Sequence, residues 1–173
     1  NPPNLDDVIN QLRAGDVVTH CFHGKEGNNI IVNNSIRQSV LNQRNNNVYY
    51  DVGHGEASFS FRITEEAKKL NFDPDSISTD LHVRNIDGPV YSLANVMTKF
   101  LMLGYTLEQV VDYVTLGPAE IMNSTEFGKI RVGGKAHLTL FSIYDETRKM
   151  TDSEKNDLVA TKLIKPHATF ING

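Results

Sequence analysis

The stretch "GDVVTHCFHG", residues 15–24, is the most informative about the fold, because a short apolar run passes directly into polar side chains and stops at a glycine. The run over residues 16–22 predicts a buried strand, and Gly24 opens a polar loop. His20 and His23 therefore stand at or just beyond the tip of a strand. Such a tip is where a parallel sheet presents its functional side chains.

Two similar units follow along the chain. Residues 47–53, "NVYYDVG", and residues 75–82, "DSISTDLH", predict two more strands, each preceded by a segment with helical spacing of apolar residues. The predicted helices begin at the caps Asn4, Ser35 and Thr64 and end near Gly15, Arg44 and Leu70. Strands that alternate with helices predict an α/β fold with a parallel sheet whose strands are covered on both faces.

The pattern changes in the second half. Residues 92–103, from Ser92, and residues 106–114, capped by Thr106, predict two helices, and "GPAEIMN" predicts a short third one with Pro118 in its first turn. Beyond residue 127 the chain is rich in β-formers, with turns predicted at Gly133 and within the charged residues 145–157. We therefore expect two parts, residues 1–127 and residues 128–173.

Composition excludes several classes of protein. The 173 residues are 39% hydrophobic and 22% charged, as in globular domains. A net charge of -4 argues against a nucleic-acid partner, and the short apolar runs argue against a membrane-spanning segment. The single cysteine excludes an intrachain disulfide and fits a reducing compartment, so we expect a cytoplasmic protein. The start on Asn-Pro-Pro, without a methionine, suggests a chain entered within a loop.

Each of the three predicted strands ends near a side chain with useful chemistry: His20, His54 and Asp80. The carboxyl ends of parallel strands share one face, so these residues should converge. His20 and Asp80 are suitable ligands for a divalent metal, and Asp80 could also accept a proton from water. The alternatives stay open, because a histidine at a strand end is often structural, His54 could be a turn residue between glycines, and Asp80 could cap a turn.

The remaining candidate side chains have less specific signals. Cys21 alternates with His20 along the strand, so it should face the core as a small hydrophobic residue. His23 and His82 follow their strands and could touch a substrate or simply face solvent. His137 and His167 lie in the β-rich tail and are expected to be structural. No P-loop, G-x-G-x-x-G or G-x-S-x-G motif occurs, so nucleotide-phosphate chemistry lacks support.

Taken in order, "GDVVTHCFHG", "YYDVGHGEASFSF", "DSISTDLH", "GPVYSLANVMTKFLMLGYTLEQVV" and "GKIRVGGKAHLTLF" resemble the later part of the amidohydrolase superfamily. The resemblance is to its dihydroorotase-like branch, whose members carry names such as deacetylase and adenine deaminase. It covers nearly the whole chain. The resemblance implies the C-terminal part of a (β/α)8 TIM-type barrel, strands six to eight with their helices, followed by strands of a small β-sandwich.

The resemblance also implies roles for individual residues. His20 matches the metal-binding histidine of strand six, and Asp80 matches the strand-eight aspartate that binds metal and serves as general base. His54 matches a histidine beside the substrate, with His23 and His82 as further substrate-binding candidates. Zinc is the expected metal, as one or two ions. His137 stands where the family usually has an aspartate, at a position remote from the chemistry.

The implied activity is hydrolysis of an amide, ester or cyclic C–N bond of a small molecule by metal-activated water. The alternatives are a purine-type (adenine) deaminase on the same scaffold and a non-catalytic barrel scaffold. Residues 1–127 are about half of the roughly 250 residues of a complete barrel. We therefore expect the other metal ligands in a preceding part of the same chain, and an inactive protein without it. A homo-oligomer is a further expectation.

Overall fold

The computed structural model describes residues 3–173, so Asn1 and Pro2, part of the loop in which the chain is expected to begin, lie outside the described residues. The helices are α1 (Leu5–Ile9), α2 (Gln38–Asn45), α3 (Phe61–Lys69), α4 (Leu93–Met102), α5 (Leu107–Val114) and α6 (Leu116–Ile121). The strands are β1 (Val17–Val18), β2 (Ile31–Val32), β3 (Ser35–Ile36), β4 (Tyr49–Tyr50), β5 (Leu138–Thr151) and β6 (Asp157–Phe170).

The three predicted parallel strands lie side by side, although their regular parts are short. β1 pairs with β4 in parallel, Val17 opposite Tyr49 and Val18 opposite Tyr50. Residues 75–82 form an extended segment beside β4 and meet it at one parallel bridge, between Asp51 and Ser76. Further along this segment, the His54 amide donates to the Ser78 carbonyl at 3.1 Å. The chain thus has the α/β character and the parallel order expected from the sequence.

Packing covers one face of this small sheet. Tyr50 and Val52 are fully buried against the helices, and the core also includes Phe59, Phe72 and Phe100. On the other face Val17 is 41% exposed. Tyr49, on the same face as Val17, is partly buried and Asp51 is buried, so within residues 3–173 this second face is only partly covered, less than the expected cover on both faces.

Local signals located most helix starts correctly. Asn4, Ser92 and Thr106 cap α1, α4 and α5 with their side chains, and Thr106 forms a reciprocal capping box with Gln109. The predicted cap Thr64 is wrong, because Ser60 caps α3 and Thr64 lies inside it, donating to the Ser60 carbonyl at 2.8 Å.

The second predicted cap, Ser35, is also wrong. Asn33 and Asn34 both adopt positive φ, 49° and 59°, and so form a two-residue turn that pairs β2 with β3. This is the backbone geometry that favours asparagine in tight hairpins. Ser35 belongs to β3, and α2 begins only at Gln38, after Arg37.

The tail forms a long antiparallel hairpin of β5 and β6, which pair only with each other in the described part of the chain. Its turn occupies residues 152–156, so the charged residues 145–151, expected to lie in a turn, belong to β5 instead. The hairpin packs on α4, where the Ile164 amide donates to the Thr98 hydroxyl at 3.1 Å. Division of the chain near residue 128 stays a prediction.

Candidate metal and substrate site

His20 lies two residues beyond β1 in the left-handed region, with φ 61°, and its ring faces the loop after β4. Its Nδ1 lies 2.6 Å from the Gly53 carbonyl oxygen. A carbonyl can only accept, so Nδ1 carries the proton and Nε2 keeps its lone pair. Histidines that bind metals usually donate their second ring N–H to such an acceptor. The tautomer inferred from this contact therefore fits a ligand that binds through Nε2.

Asp80 ends the third extended segment, also with a positive φ of 47°. A Cβ placed on Gly55 would lie 2.8 Å from Asp80 Oδ2, and one on Gly53 would lie 2.7 Å from His20 Nδ1. The His20 ring and the Asp80 carboxylate thus lie against the same short segment, residues 53–55. The two glycines are needed there because both have positive φ and a side chain would collide with these two groups.

His54, between these glycines, is fully buried. Its Nδ1 lies 2.9 Å from the Gly55 carbonyl, and its Nε2 lies 2.7 Å from Lys99 Nζ. The ring stacks on Phe59 at 4.6 Å between centroids. Burial, followed by the charge of Lys99, lowers the pKa of His54 to about 3. Both nitrogens are therefore occupied by protein groups, and substrate contact by His54 stays a prediction that these contacts do not support.

Lys99, on α4, is a fully buried lysine that the sequence analysis did not identify. It donates to His54 Nε2, to the Pro89 carbonyl at 2.8 Å and to the Thr151 carbonyl at 2.6 Å. Burial lowers its pKa to about 7, partly opposed by Asp152. A lysine within the apolar residues 96–103 was the available signal, since such a residue must find partners in the core.

The two loop histidines occupy different surroundings from His54. His23 is partly buried, and its Nδ1 accepts from the Lys25 amide at 3.2 Å. Burial, followed by the nearby Lys25 and His20, lowers the pKa of His23. His82 Nδ1 accepts from the Arg84 amide at 3.2 Å. In both histidines these loop contacts use Nδ1 and do not involve Nε2. Contact of His23 and His82 with a substrate stays a prediction.

Two further residues missed by the sequence analysis shape the site. Asn85, fully buried, donates to the Asp80 carbonyl at 2.8 Å and accepts from the His82 amide at 2.8 Å, so it holds the turn that follows Asp80. Asp51, on the strand leading to His54, accepts hydrogen bonds from three hydroxyl groups on the two flanking extended segments: Thr19 on one side, and Ser76 and Ser78 on the other. The Asn85 contacts are local, whereas those of Asp51 join residues 25 to 32 positions apart.

The other candidates fall outside this site. Cys21 is buried in the core as expected, and burial, followed by the charge of Asp51, raises the pKa of its thiol. His137 contacts Glu126 at 3.1 Å, and His167 contacts Ser142 at 2.8 Å, in the tail. A cavity of about 580 Å3 lies between α4 and the hairpin, and none of the five predicted site residues lines it.

Within residues 3–173, no group of three or more His, Cys, Asp or Glu side chains is placed to hold a metal ion. His20 and Asp80 supply two ligands of suitable chemistry, so a complete site needs ligands from elsewhere. None of the helices in this range is long and apolar enough to cross a membrane.

Comparison with known proteins gives a consistent result. The chain is 39% identical over 175 aligned positions to a deacetylase of Enterococcus faecalis, covering 99% of this chain and 47% of the relative. A deacetylase of Brucella anthropi is 36% identical and one of Agrobacterium fabrum 37% identical, covering 98% of this chain and 42% of each relative. None of the protein-family models compared matches.

Solved structures agree. A crystal structure of an adenine deaminase superposes with a TM-score of 0.94 at 39% identity, covering 100% of this chain and 48% of that one. The resemblance to the amidohydrolase superfamily is confirmed. A dihydroorotase structure superposes with a TM-score of 0.88 at 36% identity, covering 99% of this chain and 45% of that one. This amidohydrolase-like chain spans about half the length of the relatives it matches, all of them hydrolases by name.

Proposed function

We propose that this chain works as the C-terminal part of a longer metal-dependent hydrolase, which cleaves an amide, ester or cyclic C–N bond of a small molecule. One observation carries the proposal: the tautomer of His20, fixed by the Gly53 carbonyl, leaves Nε2 available beside the segment that also contacts Asp80. The names of the similar proteins, deacetylase, adenine deaminase and dihydroorotase, support the same reaction class.

The chain's own residues would divide the work as follows. His20 would bind the metal through Nε2, and Asp80 would bind it through a carboxylate oxygen. Bound there, a divalent metal such as zinc lowers the pKa of water and polarises a carbonyl. Asp80 would accept the proton of the attacking water and return it to the leaving group. His23 and His82, on the two flanking loops, would contact the substrate.

The test uses the complete natural protein that contains this chain. Asp80→Asn should lower kcat for hydrolysis of acylated substrates by about 100- to 10,000-fold, as expected for loss of a general base. His20→Asn should lower the bound metal measured by elemental analysis. Asp87→Asn, an exposed aspartate in the same loop, is the matched control and should keep full activity. Full activity of Asp80→Asn would refute the role of Asp80.

A second candidate function is deamination of a purine-type ring. It is favoured by the similarity to the adenine deaminase structure over the whole of this chain. Release of ammonia from adenine, without release of acetate from acetylated substrates, would select it. A complete protein that binds no metal and turns over neither substrate would instead indicate a non-catalytic scaffold.

A further inference from the structure

Lys99 is an unusual residue for the interior of a small domain. It is fully buried on α4, and its ammonium lies between three acceptors that belong to three different parts of the chain. An ammonium has three N–H donors, so the contacts with His54, Pro89 and Thr151 use each donor once. A neutral amine would have two donors for three acceptors. The three acceptors therefore favour the protonated form, against the burial that lowers the pKa of Lys99 to about 7.

The hydrogen-bond partners of His54 determine its tautomer. Its Nδ1 faces the Gly55 carbonyl and must donate, so Nε2 carries a lone pair that can accept only from Lys99. The two rings of this region, His20 and His54, thus have the same tautomer and both bond to carbonyls of residues 53–55. Lys99 stabilises one of the two directly.

We propose that Lys99 is a positioning residue for the reaction: through His54, it holds residues 53–55 in the conformation that orients His20 and accommodates Asp80. The proposal rests on the proposed hydrolase function for its effect on catalysis. None of the hydrogen bonds of Lys99 reaches His20 or Asp80, so it would act on them through His54. Its bond to the Thr151 carbonyl also connects this segment to the hairpin.

The hairpin turn supports this connection. Asp152, next to Thr151, is buried and accepts from the Phe61 amide at 3.0 Å. Ser153 donates to the Phe59 carbonyl at 2.6 Å, beside the ring that stacks on His54. The turn is thus bonded to the loop that follows residues 53–55. Lys99 lies at the point where α4, this loop and the hairpin meet.

The first experiment measures kinetics of the complete natural protein. Lys99→Met keeps the length and the burial of the side chain but removes the donors. We expect kcat to fall by about 10- to 100-fold, the usual effect of losing a group that orients a metal ligand, with KM unchanged. Lys68→Met is the matched control. Lys68, on α3, donates to the Leu103 carbonyl at 3.1 Å, and its substitution should leave kcat unchanged.

A double variant tests whether Lys99 acts through His54. His54→Leu alone should lower kcat similarly, and His54→Leu combined with Lys99→Met should fall no further than the single variants. Effects that multiply would overturn the proposal, as would a folded Lys99→Met protein with the kcat of the control. If Lys99→Met does not fold, His54→Leu decides, and its normal kcat would overturn the proposal.

Histidine nitrogen-15 spectra give a readout that does not depend on activity. In the wild-type protein His54 and His20 should each show a single neutral form protonated at Nδ1. In Lys99→Met from which metal has been removed by a chelator, both signals should show mixed tautomers, while Lys68→Met treated in the same way should resemble the wild type. Unchanged signals in Lys99→Met would overturn the proposal. A wild-type protein without hydrolytic activity would refute the proposed function alone, because these spectra would still decide the positioning role.

Discussion

Asp51 offers the sharpest test of how the three parallel segments are held together. Its carboxylate accepts from the hydroxyl groups of Thr19 at 2.7 Å, Ser76 at 2.6 Å and Ser78 at 2.6 Å. The residue is only 8% exposed, and no ion pair to it occurs within residues 3–173. Asp51→Ala would remove all three hydrogen bonds together with a buried charge.

The size of the effect follows from two opposing contributions. A hydrogen bond to a charged group contributes about 1.5–3 kcal/mol, so three of them set an upper limit of several kcal/mol. Burial of a carboxylate without a cation costs several kcal/mol and offsets part of this. Thr19 is exposed and can bond to water after the substitution, whereas Ser76 is buried and would be left unpaired. We expect Asp51→Ala to lower the free energy of unfolding by about 2–4 kcal/mol.

Urea unfolding followed by circular dichroism measures this difference, provided that the m-value is unchanged. Asp51→Asn, which keeps the shape and can still accept from hydroxyl groups, should lose about 1 kcal/mol. Asp87→Ala removes an exposed aspartate and should match the wild type. If Asp51→Ala is as stable as the wild type, the cost of burying the carboxylate cancels its hydrogen bonds, and the reasoning is refuted.

Two further predictions concern the segment between Gly53 and Gly55. Gly55→Ala should lower the free energy of unfolding by about 1–3 kcal/mol, because φ is +55° and the new Cβ would lie 2.8 Å from Asp80 Oδ2. The same substitution should lower kcat. A variant with wild-type stability and kcat would contradict this close approach. The pKa of His54 is lowered to about 3, so between pH 3 and its ordinary value of 6.5 the unfolded chain binds a proton that the folded chain excludes. Stability should therefore fall as the pH drops through this window, and it should fall less steeply in His54→Leu. If the melting temperatures of the two proteins depend equally on pH, His54 is not buried in its neutral form.

Local patterns predicted those parts of the fold that depend on neighbours in sequence. Asn4, Ser92 and Thr106 cap their helices because a cap bonds to amides two or three residues away. The predictions for Ser35 and Thr64 were wrong because another residue nearby in sequence had a stronger structural preference. Two asparagines in the left-handed region formed a hairpin before α2, and Ser60 could cap α3 one turn earlier.

The α/β order, the parallel alignment of the first strands and the placement of His20 and Asp80 near their tips could be read from the sequence, because strand ends in such sheets share one face. Which groups meet there depends on tertiary packing. The Lys99 ammonium lies 45 residues from the His54 ring that it contacts, and Asp51 collects hydroxyl groups from segments 25 to 32 residues away. Such contacts leave no periodic trace in the chain, since each depends on side chains that only packing brings within hydrogen-bond distance.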